Sequence, residues 1–319
     1  MNRLRALCFV VLPMLSLNAY ADPILGTAGS FAVLGGSGVT NTNPATNLPS
    51  GPTTITGDLG VSPNNLASIT GLVPTQISGT IYAADLVAQK AQADLTTAYV
   101  SLQALLPTTD LTGQNLAGMT LTSGVYKFDS SAFLNGTSAS PGVLTLNAQG
   151  QNNQFFVFQI GSTLNTSSAD TGSMTSAEVQ IENPGANDCV YWVVGSATIG
   201  TYTRFEGNIL SLSQIALQTG ATIDCGRALN QTPGPVTMDT NTISIGCTGV
   251  TGEQSSNGLG GGLAFPPGLP GVPGVPGAVV ITAGAGGPVL AAVPEPGTLL
   301  LLGSSLLGLG LYVRRKTTA

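Results

Sequence analysis

Short extended runs broken by glycine fill most of this chain, and they commit it to a mainly β fold. Glycine supplies 43 of 319 residues. Runs rich in Val, Ile, Thr and Phe recur at 30–34, 53–61, 121–126, 142–147, 155–160 and 190–194. They continue at 205–212, 215–217, 221–223, 236–238 and 242–245. β-branched and aromatic residues between Gly, Asn and Pro turns read as strands. From residue 190 onward the runs are short and closely spaced. That suits strands stacked as the rungs of a solenoid, each coil burying its inner residues on the next. No strict sequence period accompanies them, and an ordinary β-sandwich fits the pattern equally well.

One stretch breaks the rule. Residues 83–106 lack Gly and Pro, and Leu95, Ala98, Tyr99, Leu102 and Leu105 recur at helical spacing. Val87 and Ala91 extend the stripe, and Pro107 stops it. This predicts a single amphipathic helix within a β protein.

Charge is scarce and sits at the ends. Of nine Lys and Arg residues, Arg3, Arg5, Arg314, Arg315 and Lys316 lie at the termini. The body between Asp22 and Ala292 keeps only Lys90, Lys127, Arg204 and Arg227. Such a body cannot neutralise a phosphate backbone, which excludes nucleic acid as a partner. With no histidine in the chain, Ser/His/Asp catalysis is excluded, no carboxylate pair stands out, and we expect no enzyme, no cofactor and no metal.

The N-terminus reads as a secretory signal peptide over 1–21. A basic start precedes an apolar run from Ala6 to Leu17 and the small-x-small end Ala19-Tyr20-Ala21. Export permits disulfides. Cys189, Cys225 and Cys247 remain after cleavage. Cys225–Cys247 would pin the final strands, with Cys189–Cys247 as the alternative pairing. A Gly/Pro-rich spacer covers 251–292.

At the other end Val293-Pro294-Glu295-Pro296 precedes an apolar segment, 299–313, and then Arg314-Arg315-Lys316. The basic flank should stay cytoplasmic. Motif, short apolar helix and basic end over 293–319 resemble the PEP-CTERM sorting signal of exopolysaccharide-producing Gram-negative bacteria. The resemblance implies an exosortase-type processing peptidase as a partner, and passage of the tail through the inner membrane. It also implies a protein that is either anchored at the cell surface or released.

In order along the body over 22–250 come Leu25-Gly26-Thr27-Ala28-Gly29-Ser30-Phe31, Ile55-Thr56-Gly57-Asp58-Leu59-Gly60-Val61 and the helix that follows. Then come Phe156-Val157-Phe158-Gln159-Ile160, Val190-Tyr191-Trp192-Val193-Val194, Phe205-Glu206-Gly207-Asn208 and Gly226-Arg227-Ala228-Leu229. This series resembles the bacterial ice-binding-like family. The resemblance implies an irregular right-handed β-solenoid (β-helix) of triangular section with the long α-helix packed alongside. It also implies contact with ice or ordered water through a flat, Thr-rich face. Candidate residues are Thr198, Thr201, Thr203, Thr219, Thr222, Thr237, Thr240 and Thr242. Thr219-Gly220-Ala221-Thr222 matches the Thr-(Ala/Gly)-x-(Thr/Asn) pattern of that face in some family members. The alternative is a surface or biofilm-matrix adhesion protein that holds exopolysaccharide.

Overall fold

The computed structural model describes residues 24–43, 52–137, 140–167 and 176–247, and the backbone of two short strands beyond them. The expected signal peptide, sorting motif and apolar tail lie outside these residues, as does the spacer apart from those two strands. In chain order the elements are β1 (Phe31–Gly35), β2 (Gly38–Asn41), β3 (Thr54–Thr56), β4 (Asp58–Val61), β5 (Ile69–Thr70), β6 (Ile77–Ser78) and β7 (Ile81–Ala83). Next come α1 (Leu86–Gln103), β8 (Thr109–Asp110), β9 (Thr120–Leu121), β10 (Gly124–Phe128), β11 (Ala132–Leu134), β12 (Val143–Asn147) and β13 (Phe155–Thr166). The series closes with β14 (Glu178–Glu182), β15 (Cys189–Ile199), β16 (Arg204–Leu217), β17 (Thr222–Asn230), β18 (Pro235–Met238) and β19 (Thr242–Ser244). Strands β20 (Leu263–Ala264) and β21 (Val280–Ile281) pair antiparallel with each other.

The pairings among β1–β19 are all parallel, and they resolve into three faces. Face A stacks β8, β10, the first half of β13, the first half of β15, the middle of β16, the end of β17, β1, β4 and β7. Face B stacks β11, the later halves of β13 and β15, the end of β16, β18, β2 and β5. Face C stacks β9, β12, β14, the start of β16, the start of β17, β19, β3 and β6. Each turn of chain visits A, B and C in order, so the fold is a three-sided β-solenoid.

The axial order differs from the chain order. β1 lies between β17 and β4. The chain therefore starts mid-stack, winds through β1–β7 to one end, and resumes at β8 at the other. From there it winds back until β17 meets β1. Helix α1 makes the return run, and its 18 residues cover about 27 Å. Asp85 caps it by accepting from the Ala88 N–H at 2.8 Å. Ala84, at φ 56°, turns the chain before the cap, so the helix starts later than the Gly/Pro-free stretch. Val87 is exposed rather than part of the buried stripe, whereas Ala91, Leu95, Ala98, Tyr99 and Leu102 are buried.

Two cores follow from this layout. Inside the solenoid, Phe128, Phe156, Phe158, Trp192, Ile209 and Ala228 alternate with residues that face out. Tyr126, Phe158 and Trp192 stack on consecutive rungs, with ring centroids 5.3 and 3.9 Å apart. Outside face A, Val157, Tyr191, Val193, Leu210 and Leu229 meet the helix. Residues 155–160 read as one apolar run because helix and interior bury both of their sides. The helix is also bonded down. Tyr99 donates to the Val194 carbonyl at 3.2 Å. Gln92 donates to the carbonyls of Gly35 (3.2 Å) and Asn230 (3.0 Å), and Gln159 to those of Leu102 (2.8 Å) and Leu105 (2.9 Å).

The corners are polar and tightly drawn. Gly207 turns from C to A at φ 102°, where a Cβ would stand 2.7 Å from the Val190 side chain. Next to it Arg227 is fully buried. Its Nε donates to the Gly29 carbonyl at 2.9 Å and its Nη1 to Asn208 Oδ1 at 2.7 Å. Burial lowers its pKa to about 10, which leaves it charged at neutral pH. At the B–C corner buried Asn241 donates to the carbonyls of Gln218 (2.8 Å) and Ala221 (2.9 Å). Thr53 donates to Asn41 Oδ1 at 2.9 Å, and Asn41 to the Gly71 carbonyl at 2.8 Å. Asp58 accepts from the Thr80 N–H at 2.8 Å, a turn-capping bond. Cys225 and Cys247 form a disulfide, with Cα atoms 4.3 Å apart. Cys189 lies outside that bond and is buried.

Candidate functional site

The three faces offer a partner very different surfaces. Face A lies under the helix. Face C carries the outward side chains Glu178, Glu182, Arg204, Glu206 and Asp224. Face B has no Asp, Glu, Lys or Arg in any of its strand segments.

Strand alternation sorts face B into inward and outward residues. Leu134, Leu164, Ala197, Ile199, Ile215, Leu217, Val236, Met238 and Val39 point in and are buried. The outward residues form columns, one member per rung. Register aligns Phe133, Asn165, Thr198, Ala216, Thr237, Thr40 and Thr70 in one column. Beside it, Thr163, Ser196 and Gln214 align on one stretch and Pro235 and Gly38 on the next. Neighbours in a column stand about 4.7–4.9 Å apart, and the two columns about 6.7 Å apart along the strand. Threonine hydroxyls are held in line across rungs. Thr70 donates to Thr40 at 3.1 Å, and the Thr163 and Ser196 hydroxyls lie 2.8 Å apart. Threonine's χ1 is stiff, so each hydroxyl and methyl keeps its place. The result is a neutral array on rigid backbone, mostly of small polar and methyl groups, with Phe133 at one end of the long column and Gln214 and Pro235 in the shorter one.

The eight candidate threonines fall in four places. Thr198 and Thr237 stand in the long column of face B. Thr222 and Thr242 stand on face C, adjacent in register. Thr201 and Thr219 occupy the B–C corner, where Thr219 donates to Asp239 Oδ2 at 2.6 Å. Thr203 and Thr240 are buried at that corner, 0% and 2% exposed, so they reach no outer surface. Thr203 is spent on a 2.8 Å hydroxyl bond to Thr166. The Thr219-Gly220-Ala221-Thr222 motif thus straddles the corner instead of lying on one face. Sequence reasoning missed Thr40, Thr70, Thr163, Asn165, Ser196 and Ala216. The signal for them was a polar or small residue next to an apolar one in a short extended run, as in Val39-Thr40, Leu164-Asn165 and Ile215-Ala216. Among the described residues no group of three or more acidic or Cys side chains could hold a metal ion.

Known proteins share this architecture. The family model described as "Ice-binding-like" matches residues 33–244, and the PEP-CTERM protein-sorting motif matches 292–316. An ice-binding protein of Nostoc sp. (strain HG1) is 49% identical over 224 residues, 70% of this chain and 74% of that protein. One from Flavobacterium frigoris (strain PS1) is 31% identical over 235 residues, 69% of this chain and 75% of that one. The crystal structure of an ice-binding protein from an Antarctic biological consortium superposes with a TM-score of 0.59 at 38% identity, covering 73% of this chain and 95% of the other. That of the Antarctic ascomycete Antarctomyces psychrotrophicus gives 0.57 at 35%, covering 69% and 97%. The chain belongs to the ice-binding-like family and ends in a PEP-CTERM sorting motif.

Proposed function

We propose that this protein is exported and binds ice through face B. The observation that carries the reading is the pair of outward columns on that face, free of charge along their whole length. A charged side chain would orient water against a lattice, whereas aligned Thr, Ser, Asn and Ala groups present hydroxyls and methyls at a repeat near that of the rungs. Many weak contacts add up only if little ordering entropy is lost on binding. The bonded corners and the inner aromatic stack supply that rigidity. Face A is unavailable, and the carboxylates of face C disfavour it. The role is non-enzymatic, and nothing in the named relatives supports the polysaccharide alternative.

The rest of the chain fits this use. The signal peptide over 1–21 would carry the 22–250 domain across the inner membrane, and the tail would hold it there until an exosortase-type peptidase acts.

Substitution on one face at a time tests the assignment. Thr237→Tyr, mid-column on face B, is expected to remove at least about ten-fold of the ice-recrystallisation inhibition, while Thr242→Tyr on face C leaves it within about two-fold. The two variants should melt alike, because both side chains point outward. Wild-type protein that leaves growing ice as unshaped discs would sink the proposal, and so would the reverse order of the two variants.

A further inference from the structure

The two ends of the solenoid are finished differently. At the β8 end the terminal coil tucks Leu111 and Leu116 into the core, 6% and 0% exposed, and leaves Ala117, Met119 and Leu121 partly buried. At the β7 end the inward residues of the last coil, Ile69, Leu72, Ile77 and Ile81, are only partly buried. The turns of that coil expose Leu66 (59%) and Val73 (55%). Among the described residues β5, β6 and β7 each have one neighbour, β2, β3 and β4 respectively. Among the described residues, therefore, no strand lies along their outer edges on any of the three sides. Exposed edges are ordinarily blunted by charge, yet residues 59–84 contain no Asp, Glu, Lys or Arg. The opposite coil carries Asp110.

We propose that this open end is a dimer interface, and that its occupant is the same end of a second copy of the chain. Three edges arranged around a triangle can all be matched at once only by another three-sided solenoid end. A single peptide or hairpin would serve one side. Residues 59–84 are uncharged on both partners, with Asp58 and Asp85 only at the margins of the coil, so a chain of net charge −6 meets itself there with little repulsion. A same-end contact is two-fold and closes as a dimer. The two-fold axis reverses strand direction, so the edges pair antiparallel. It caps the half-open core, and it gives each particle two copies of face B. If face B binds ice, two linked faces raise avidity without any new contact to the crystal.

Sedimentation of the full chain reads the assembly without reference to ice, so its failure would leave the face B assignment standing. The expected mass is twice that of the chain. The double variant Leu66→Glu, Val73→Glu changes only exposed side chains and is expected to sediment at half that mass, with an unchanged circular-dichroism spectrum. Leu106→Glu at the opposite end, where Leu106 is 87% exposed, should leave the dimer intact. A monomeric wild type would overturn the proposal. So would a dimer that survives the double variant, or open-ended oligomers that Leu106→Glu disperses.

Discussion

A carboxyl on face C shows how a single residue reports its surroundings. Glu206 stands beside Asp224 in register, one rung away. Its pKa is raised from 4.5 to about 7, chiefly by burial and then by the charges of Asp224 and Glu178. The folded chain therefore holds a proton that the unfolded chain releases between about pH 4.5 and pH 7. Stability from this group is fully present below about 4.5 and is lost as pH rises through 7. At about 1.4 kcal/mol per pKa unit, and allowing for solvent near the side chain, the effect is on the order of 2 kcal/mol. Glu206→Gln keeps the size and stays neutral throughout. Urea midpoints at pH 5 and pH 8 should then converge in the variant relative to wild type, and an equal pH difference in both would refute the assignment. The same substitution should leave ice shaping intact, since Glu206 is not on face B.

At the level of elements, α1 matters as cover and as crossover. Its buried stripe shields the outer side of face A, and it returns the chain between the ends. Leu95 is fully buried between helix and sheet. Leu95→Ala should cost about 2–5 kcal/mol, as large-to-small core changes do. Chemical denaturation would measure it, and a cost below about 1 kcal/mol would mean that the helix packs loosely. This element was legible because a stripe at helical spacing without Gly or Pro has few other readings. The strand at 155–160 was legible for a related reason, being apolar on both sides. Face B was not legible. Thr40, Thr70, Thr198 and Thr237 are scattered along the chain, and only the β18–β2 and β2–β5 registers bring three of them into line. Residues 205–212 and 215–217 also looked like two strands, yet β16 is continuous. Its chain rounds the A–B corner at Leu212–Gln214 without a Gly or Pro to mark the bend. Thr203 and Thr240 looked like surface threonines because polarity in sequence does not separate an outer face from a buried corner that needs hydroxyls.

For the whole molecule the decisive contact is the seam where the last coil meets the first. β17 pairs with β1, Val33 opposite Ala228, so residues far apart in sequence must find each other before the stack is continuous. Such non-local pairing is slow to form and gains from any constraint on the unfolded chain. The Cys225–Cys247 disulfide applies one beside the seam. It links the corner after the first part of β17 to the segment after β19, at a sequence separation of 22. Closing a loop of that length is worth about 3 kcal/mol in the chain-entropy account. The double variant Cys225→Ser, Cys247→Ser should therefore unfold about 2–3 kcal/mol more easily. Face B takes only β18 from the closed loop, and β18 is held on both sides by β16 and β2. Thermal melts should consequently shift down by several degrees while crystal shaping near 0 °C persists. An unchanged melting midpoint would mean that the seam holds without the bond. Lost shaping in a folded variant would mean that the disulfide sets the geometry of the ice-facing columns as well as the stability of the coil.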